Sequence, residues 1–235
     1  RIARLPAGGV VVLAPGTWVL DAPLRIERDA VRIAGVGAER TALVGLFDAE
    51  DAAVLDIRGA PARVAPRAGD CLPALSEGPM ERWVRVEGAP PPPGTVVALR
   101  APNDEAFLDA IDSRVWRERY PYLRWTMARV VAREGRRLLL DRPVGRDMPE
   151  TTRLCPVDAV EDVRVSDLTV AYRPDAPADP DSYANDAPNR MVDGVRILAA
   201  ADVRLERLRI ANAGRHPLHL DETLDTVVAD VALCG

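Results

Sequence analysis

A chain of 235 residues, 48% of them hydrophobic, is long enough to bury a sizeable core, either as one large domain or as a domain with an insertion. Its net charge of −5 argues against the whole surface being a polyanion binder, and every basic side chain is Arg, a bias that reads as GC-rich bacterial coding. No run approaches the roughly 20 apolar residues of a membrane span, and no P-loop, dinucleotide fingerprint or Ser/His/Asp arrangement is visible.

In chain order, the first short strands are expected at Val10–Leu13, Trp18–Leu20, Leu24–Ile26, Val31–Ile33, Ala42–Val44 and 53–57, punctuated by turn residues such as Gly35 and Gly37. From about residue 61 to 152 the character changes. Pro90–Pro93 is a stiff turn, Trp83–Val86, Thr95–Leu99, Met127–Val131 and Leu138–Leu140 are candidate strands, and 103–119 has room for a short helix. This stretch reads as an inserted small β-rich subdomain (61–152) between residues 1–60 and 153–235. Residues 172–193 read as a polar loop projecting from the strands.

The last third carries a repeat. Asp162–Val170, Asp202–Ile210 and Asp225–Leu233 each begin with Asp, run through a short alternating strand, break for two residues and enter a second short strand. Val195 and Ile197 stand 23 residues before Leu218 and Leu220, which extends the match. A period in the twenties with several strands and no helix marks a β-solenoid, whose thin coils bury a core only by stacking. The expected inward rows are Val163, Val203 and Thr226, and Val165, Leu205 and Val228. Because the chain starts on Arg1 and ends straight after a repeat strand, it is expected to be a segment of a longer polypeptide, truncated within the coils.

The opening Gly8-Gly-Val-Val-Val-Leu-Ala-Pro-Gly-Thr-Trp-Val-Leu20, with Leu24-Arg-Ile26 and Ile33-Ala-Gly-Val-Gly37, resembles the first coils of the pectate-lyase-like superfamily. Asp193-Gly-Val-Arg-Ile197 and Ile210-Ala-Asn-Ala-Gly214 resemble its later coils. The resemblance covers roughly 8–58 and 157–235. It implies an all-β, right-handed parallel β-helix (solenoid) and a secreted, periplasmic or cell-surface protein that cleaves or binds polysaccharide. The motifs specify fold and not activity, and no catalytic residue carries over from the family.

Candidate chemistry is therefore read from the residues. In His216-Pro-Leu-His-Leu-Asp221, strand alternation turns the leucines inward and His219 and Asp221 outward. The 23-residue offset sets Arg196 directly beneath His219, with Arg215 and His216 at the adjoining corner. A lyase acting on a uronate needs a base for the C5 proton and a cation for the carboxylate, roles that His and Arg fill. Hydrolysis instead needs two carboxylates flanking the bond, for which Asp193 and Asp221 are the candidates. A solvated strand face with a His–Asp pair is the plainer reading.

Residues 114–137 hold eight Arg against two Glu, interleaved with Trp116, Tyr120, Tyr122 and Trp125. Trp116, Tyr120, Tyr122, Arg124 and Trp125 are expected to bind an acidic glycan, rings on sugar faces and guanidinium forks on carboxylates, with Asp193 assigned to the same substrate site. The plainer reading makes the aromatics a subdomain core, and single-stranded nucleic acid is the disfavoured ligand. Asp175, Asp179, Asp181, Asp186 and Asp193 offer the oxygen ligands of a Ca²⁺ site, although a soluble loop is favoured. Asp167, Arg207 and Asp230 read as a structural ladder and Asn212 as a turn residue. Cys71, Cys155 and Cys234 read as buried free thiols, a Cys71–Cys155 bridge being the second reading.

Taken with the resemblance, these residues point to a carbohydrate-active β-helix protein acting on an acidic polysaccharide by β-elimination or hydrolysis, with no nucleic-acid partner and no membrane span. The rival is a non-catalytic glycan-binding or structural protein of the tailspike-like kind.

Overall fold

The computed structural model describes residues 8–49, 51–60, 71–78, 80–112, 122–145, 148–173 and 191–234. They fall into two compact units, one made of the residues up to Ala60 and from Ala159 onward, the other lying within Pro61–Asp158.

The first unit is two parallel sheets. In sheet A, β1 (Val10–Val12) pairs with β4 (Arg32–Ala34) and β2 (Gly16–Leu20) with β5 (Thr41–Gly45). Both β4 and β5 lie along the long β14 (Arg164–Tyr172), followed by β16 (Arg204–Ala211) and β18 (Val227–Cys234). In sheet B the order is β3 (Leu24–Ile26), β6 (Ala52–Arg58), β15 (Val192–Ala201) and β17 (Leu218–Leu224). The chain visits the sheets in turn, so each pass stacks in parallel register on the one before. β6 covers Val192–Leu198 of β15 while β13 (Val160–Glu161) covers Ala200 and Ala201, so one strand row is split in sequence by the whole second unit.

The repeat explains the local geometry. Its leading Asp162, Asp202 and Asp225 all adopt φ near +53° (53°, 54° and 52°), and the break residues Asp167, Arg207 and Asp230 do the same at 59°, 52° and 54°. Asp tolerates this left-handed region better than most residues. A left-handed residue resets strand alternation, which is why Val165, Leu168 and Val170 all enter the core despite their uneven spacing. Register places Ile33, Val165, Leu205 and Val228 in one row. Val163, Val165, Val203 and Leu205 are buried, each contributing about 1.5–3 kcal/mol of hydrophobic stabilisation. Val228, expected inward, is exposed, and Thr226 is only half-buried, because β18 has a neighbour on one side alone among the described residues.

The second unit is a closed antiparallel barrel of β7 (Leu72–Ser76), β8 (Trp83–Val86), β9 (Val96–Ala101), β10 (Arg124–Glu134), β11 (Arg137–Leu140) and β12 (Arg153–Pro156), with one helix, α1 (Glu105–Ala110), capped by Asp104. Its core is aliphatic and separate from that of the sheets, built around Val84, Leu99, Val130, Leu138 and Leu154. β12 pairs with β7 and β9, so this unit runs to Asp158 and past the expected boundary at 152/153.

The reading of all three cysteines as free thiols is corrected. Cys71 and Cys155 form a disulfide, and Cys234 alone is free. The bridge lies beside the β7–β12 pairing and closes a loop with a sequence separation of 84. In the chain-entropy account such a closure is worth about 4.5 kcal/mol.

Candidate functional site

Sheet B carries a row of side chains set by register: Arg25 of β3 stands opposite Asp56 of β6, Asp56 opposite Arg196 of β15, and Arg196 opposite His219 of β17. At one end of this row lies the centre of the site, Asp193. Val192, Val195 and Ile197 of β15 belong to the core, so inward alternation shifts across Gly194. A Cβ on Gly194 would lie 2.5 Å from Ile210 and 2.6 Å from the Pro217 carbonyl oxygen, so glycine alone fits there. Asp193 and Arg196 are the polar members of this stretch.

Asp193 is fully buried (0% exposed) and its two oxygens are loaded with donors. Arg215 donates from Nε to Oδ1 at 2.8 Å and from Nη2 to Oδ2 at 2.7 Å. The His216 backbone amide donates to Oδ1 at 3.2 Å, His216 Nδ1 lies 3.1 Å from Oδ1, and His219 Nδ1 lies 3.0 Å from Oδ2. Burial alone would raise the Asp193 pKa, but the Arg215 and His219 hydrogen bonds and the Arg215 charge outweigh it and hold the carboxyl well below the usual range. An ionised carboxylate accepts only, so each imidazole carries its proton on Nδ1, and in the neutral ring Nε2 is the bare acceptor. The two rings are 5.3 Å apart between centroids, and the side chains of His219 and His216 are 34% and 54% exposed.

Arg215 also reaches Asp51 at 3.1 Å, and Asp51 accepts from Arg196 at 3.0 Å, so the two arginines are joined through one carboxylate. Arg196 grips Asp56 with Nε at 3.3 Å and Nη2 at 3.2 Å. Burial would lower the Arg196 pKa, but Asp56 and Asp51 raise it, so its charge is secure.

These contacts correct parts of the expectation. Arg196 does stand opposite His219, but it is buried at 4% exposure and spent on Asp56 and Asp51, not presented to solvent. Asp193 gathers Arg215, His216 and His219 but not Asp221, which stands opposite Leu198. Leu220 stands opposite core Ile197, as an inward residue should, but is exposed because β17 has a neighbour on one side alone among the described residues. Glu222 of β17 has φ +49°, matching Ala199 at +49° on β15, and this shared kink resets simple alternation only beyond Asp221.

Asp51 and Asp56 were missed. Asp56 had a signal, one carboxylate inside the apolar run Ala52–Ile57. Its partner Arg196, however, is separated from it by 140 residues and the whole second unit.

The expected aromatic and arginine wall lies in the second unit. Arg124 donates to Asp104 at 2.6 Å and to the Pro102 carbonyl at 2.7 Å, and its guanidinium lies 4.3 Å from the Phe107 ring centroid. Tyr122 faces buried Arg100 at 5.6 Å, and Trp125 pairs with Arg100 across β9 and β10. These are contacts within the unit, but both rings are only half-buried and the barrel core is aliphatic, so Tyr122 and Trp125 do not form the subdomain core that the plainer reading expected. Trp116 and Tyr120 lie outside the described residues, as do Asp175, Asp179, Asp181 and Asp186 of the acidic loop.

The ligand atoms of Asp193, His216 and His219 all lie within 4.8 Å of one another, a grouping that invites a metal. The donor set does not fit Ca²⁺, which takes six to eight oxygens. Arg215 and the two Nδ1 groups already occupy both Asp193 oxygens, which disfavours other cations as well.

No family model matches the chain, and no curated protein does. Similar solved structures are phage tailspikes. The tailspike gp61 of Pseudomonas phage phi297 aligns at a TM-score of 0.56 and 18% identity, over 96% of this chain and 39% of that one. The tailspike gp49 of Pseudomonas phage LKA1 aligns at 0.53 and 14%, over 87% and 33%. The Gp54 tailspike of Acinetobacter baumannii bacteriophage AP22, solved with A. baumannii capsular saccharide, aligns at 0.48 and 8%, over 90% and 32%. The chain thus spans well under half the length of each. What this defines is a class by fold alone: an all-β protein of stacked parallel sheets, similar in architecture to phage tailspikes.

Proposed function

We propose that this chain is a right-handed parallel β-helix interrupted by a barrel subdomain, exported or displayed at a surface, that acts on an acidic polysaccharide by β-elimination. The observation that carries this reading is the anchoring of two imidazoles through Nδ1 to one buried, ionised carboxylate. Asp193 orients both rings and leaves Nε2 of each for substrate, the arrangement of a positioned general base.

In the elimination, Nε2 of His219 takes the C5 proton of a uronate. The C–H electrons form the C4–C5 double bond, the C4–O4 bond breaks, and the leaving oxygen takes a proton from His216 as imidazolium or from water. Arg215 and Arg196 are positioning residues here, because their guanidinium groups are committed to Asp193, Asp51 and Asp56. Hydrolysis is the weaker route. It needs two accessible carboxylates, and Asp193 is buried with both oxygens occupied.

A second reading is a glycan-binding or structural protein without turnover. The burial of Arg196 favours it, since that side chain already has a complete structural role. A panel of acidic polysaccharides separates the readings. Ultraviolet absorbance of an unsaturated uronate is expected with wild-type protein and absent with His219→Ala, while reducing ends released without that absorbance would indicate hydrolysis. No product from any polysaccharide in the panel would leave the non-catalytic reading standing.

A further inference from the structure

Asp56 is fully buried yet faces three guanidinium groups: Arg196 at 3.2 and 3.3 Å, Arg58 at 2.9 Å and Arg25 at 3.9 Å. One carboxylate balances one such charge. Arg196 is also neutralised by Asp51, whereas among the described residues the ion pairs of Arg25 and Arg58 are with Asp56 alone. The local excess is therefore positive. It sits where the chain reaches solvent, the Arg25 side chain being 56% exposed and that of Arg58 26%.

We propose that Arg25 and Arg58 form an anion subsite that takes a carboxylate of an acidic glycan, on the same face of sheet B as His216 and His219. The register supports the shared face, because Arg25, Asp56, Arg196 and His219 form one row across four adjacent strands. Strand rows are about 4.8 Å apart. Arg58 is thus two strands, roughly 10 Å, and Arg25 three strands, roughly 14 Å, from His219 along the stack. A glycan lying along the stacking direction would place one sugar at the imidazoles and the acid group of another at the arginines. A guanidinium fork matches a planar carboxylate in two parallel hydrogen bonds, and Asp56 meets both arginines at Nε. Arg196, buried between the two subsites, supplies field and support without touching the glycan.

The subsite rests on the acidic-glycan reading above, and calorimetry tests it apart from catalysis. The probes are oligosaccharides of polygalacturonate, alginate and hyaluronan, each beside its carboxyl-reduced, neutral counterpart, with a sulfated dextran oligosaccharide as the competing anion. Wild-type protein is expected to bind at least one acidic oligosaccharide about tenfold or more above its neutral form, and above the sulfated one. Arg25→Gln should lower that affinity by about tenfold and flatten its salt dependence, leaving the neutral form unaffected. Arg58→Gln should act likewise, and Arg58→Lys should restore charge but only part of the affinity.

Equal affinity for acidic and neutral forms of all three sugars would overturn the proposal. So would unchanged affinity in Arg25→Gln together with a folded Arg58→Gln, or a preference for sulfated dextran that both variants abolish. If the arginine variants lose affinity while wild-type protein forms no product, the subsite stands and the lyase reading falls. If product forms with KM unchanged in both variants, the lyase reading stands and the subsite falls.

Discussion

Sheets A and B both pair Arg with Asp across neighbouring strands, yet they do opposite things with the pair. On sheet A, Arg207 grips Asp167 bidentately at 2.6 and 2.8 Å on an exposed corner of the stack. On sheet B, Arg196 grips Asp56, and Arg215 grips Asp193, where the carboxylates are wholly out of solvent. The geometry is similar and the energetics are not. An exposed pair is screened and contributes up to about 1 kcal/mol. A buried pair contributes little net stability against an apolar replacement, but removing one partner strands a charge and costs about 3–5 kcal/mol. The sheet A pair is thus a replaceable ladder, whereas the sheet B cluster is expensive to keep, a pattern expected of a functional site.

The sharpest way to break this contrast is Asp193→Asn. The substitution preserves shape but replaces one acceptor oxygen with a donor that opposes Arg215 or a histidine. A loss of about 3–5 kcal/mol in denaturant unfolding is expected, together with loss of turnover. Asp56→Ala should cost a similar amount, with Arg196 left buried. A loss below about 1 kcal/mol for either would put the sheet B cluster in the same category as the ladder.

Acid separates the sheets next. Asp193 has a folded pKa below its unfolded one, so its stabilising contribution is full above the ordinary Asp range and disappears as pH falls through the lowered folded value. Asp167 follows the same sign on a smaller scale. Its Arg207 hydrogen bond, followed by that of Ser166, lowers it from 3.8 to about 2, so its contribution is lost between those values. In a pH series of unfolding free energies, Asp193→Asn should flatten the acid limb much more than Asp167→Asn does. Equal flattening would contradict the contrast.

The smallest effect is expected from Arg207→Ala: less than about 1 kcal/mol, shrinking further at high salt. A loss above about 2 kcal/mol, insensitive to salt, would mean that the ladder is structural in the way the buried cluster is.

The same contrast shows what the sequence disclosed. The Asp167–Arg207 rung was legible because the two residues hold equivalent places in a visible repeat, and register follows from the repeat; Asp230, in the third such place, forms no ion pair among the described residues. The pairing of Arg196 with His219 was legible for the same reason. What the repeat did not disclose was cover. Arg196, between core residues Val195 and Ile197, is buried against Asp51 and Asp56. Leu220, opposite core Ile197, is exposed because β17 has a neighbour on one side alone among the described residues. Nor did it disclose the pairing of Asp56 with Arg196, two residues brought together only because β6 and β13 continue one strand row across the second unit. In that unit the arginine and aromatic run gave no register, and antiparallel closure ties Arg124 to Asp104 through contacts that composition does not encode.

The central claim is that one buried carboxylate fixes both imidazoles with Nε2 facing substrate. With only two histidines in the chain, it can be read directly from their nitrogen-15 resonances at a pH where the rings are neutral. Both rings are expected to carry the proton on Nδ1 with an unprotonated Nε2, a state that Asp193→Asn should release into the usual tautomer mixture. A proton on Nε2 of His219 in the wild-type protein, or a tautomer unchanged by Asp193→Asn, would contradict it.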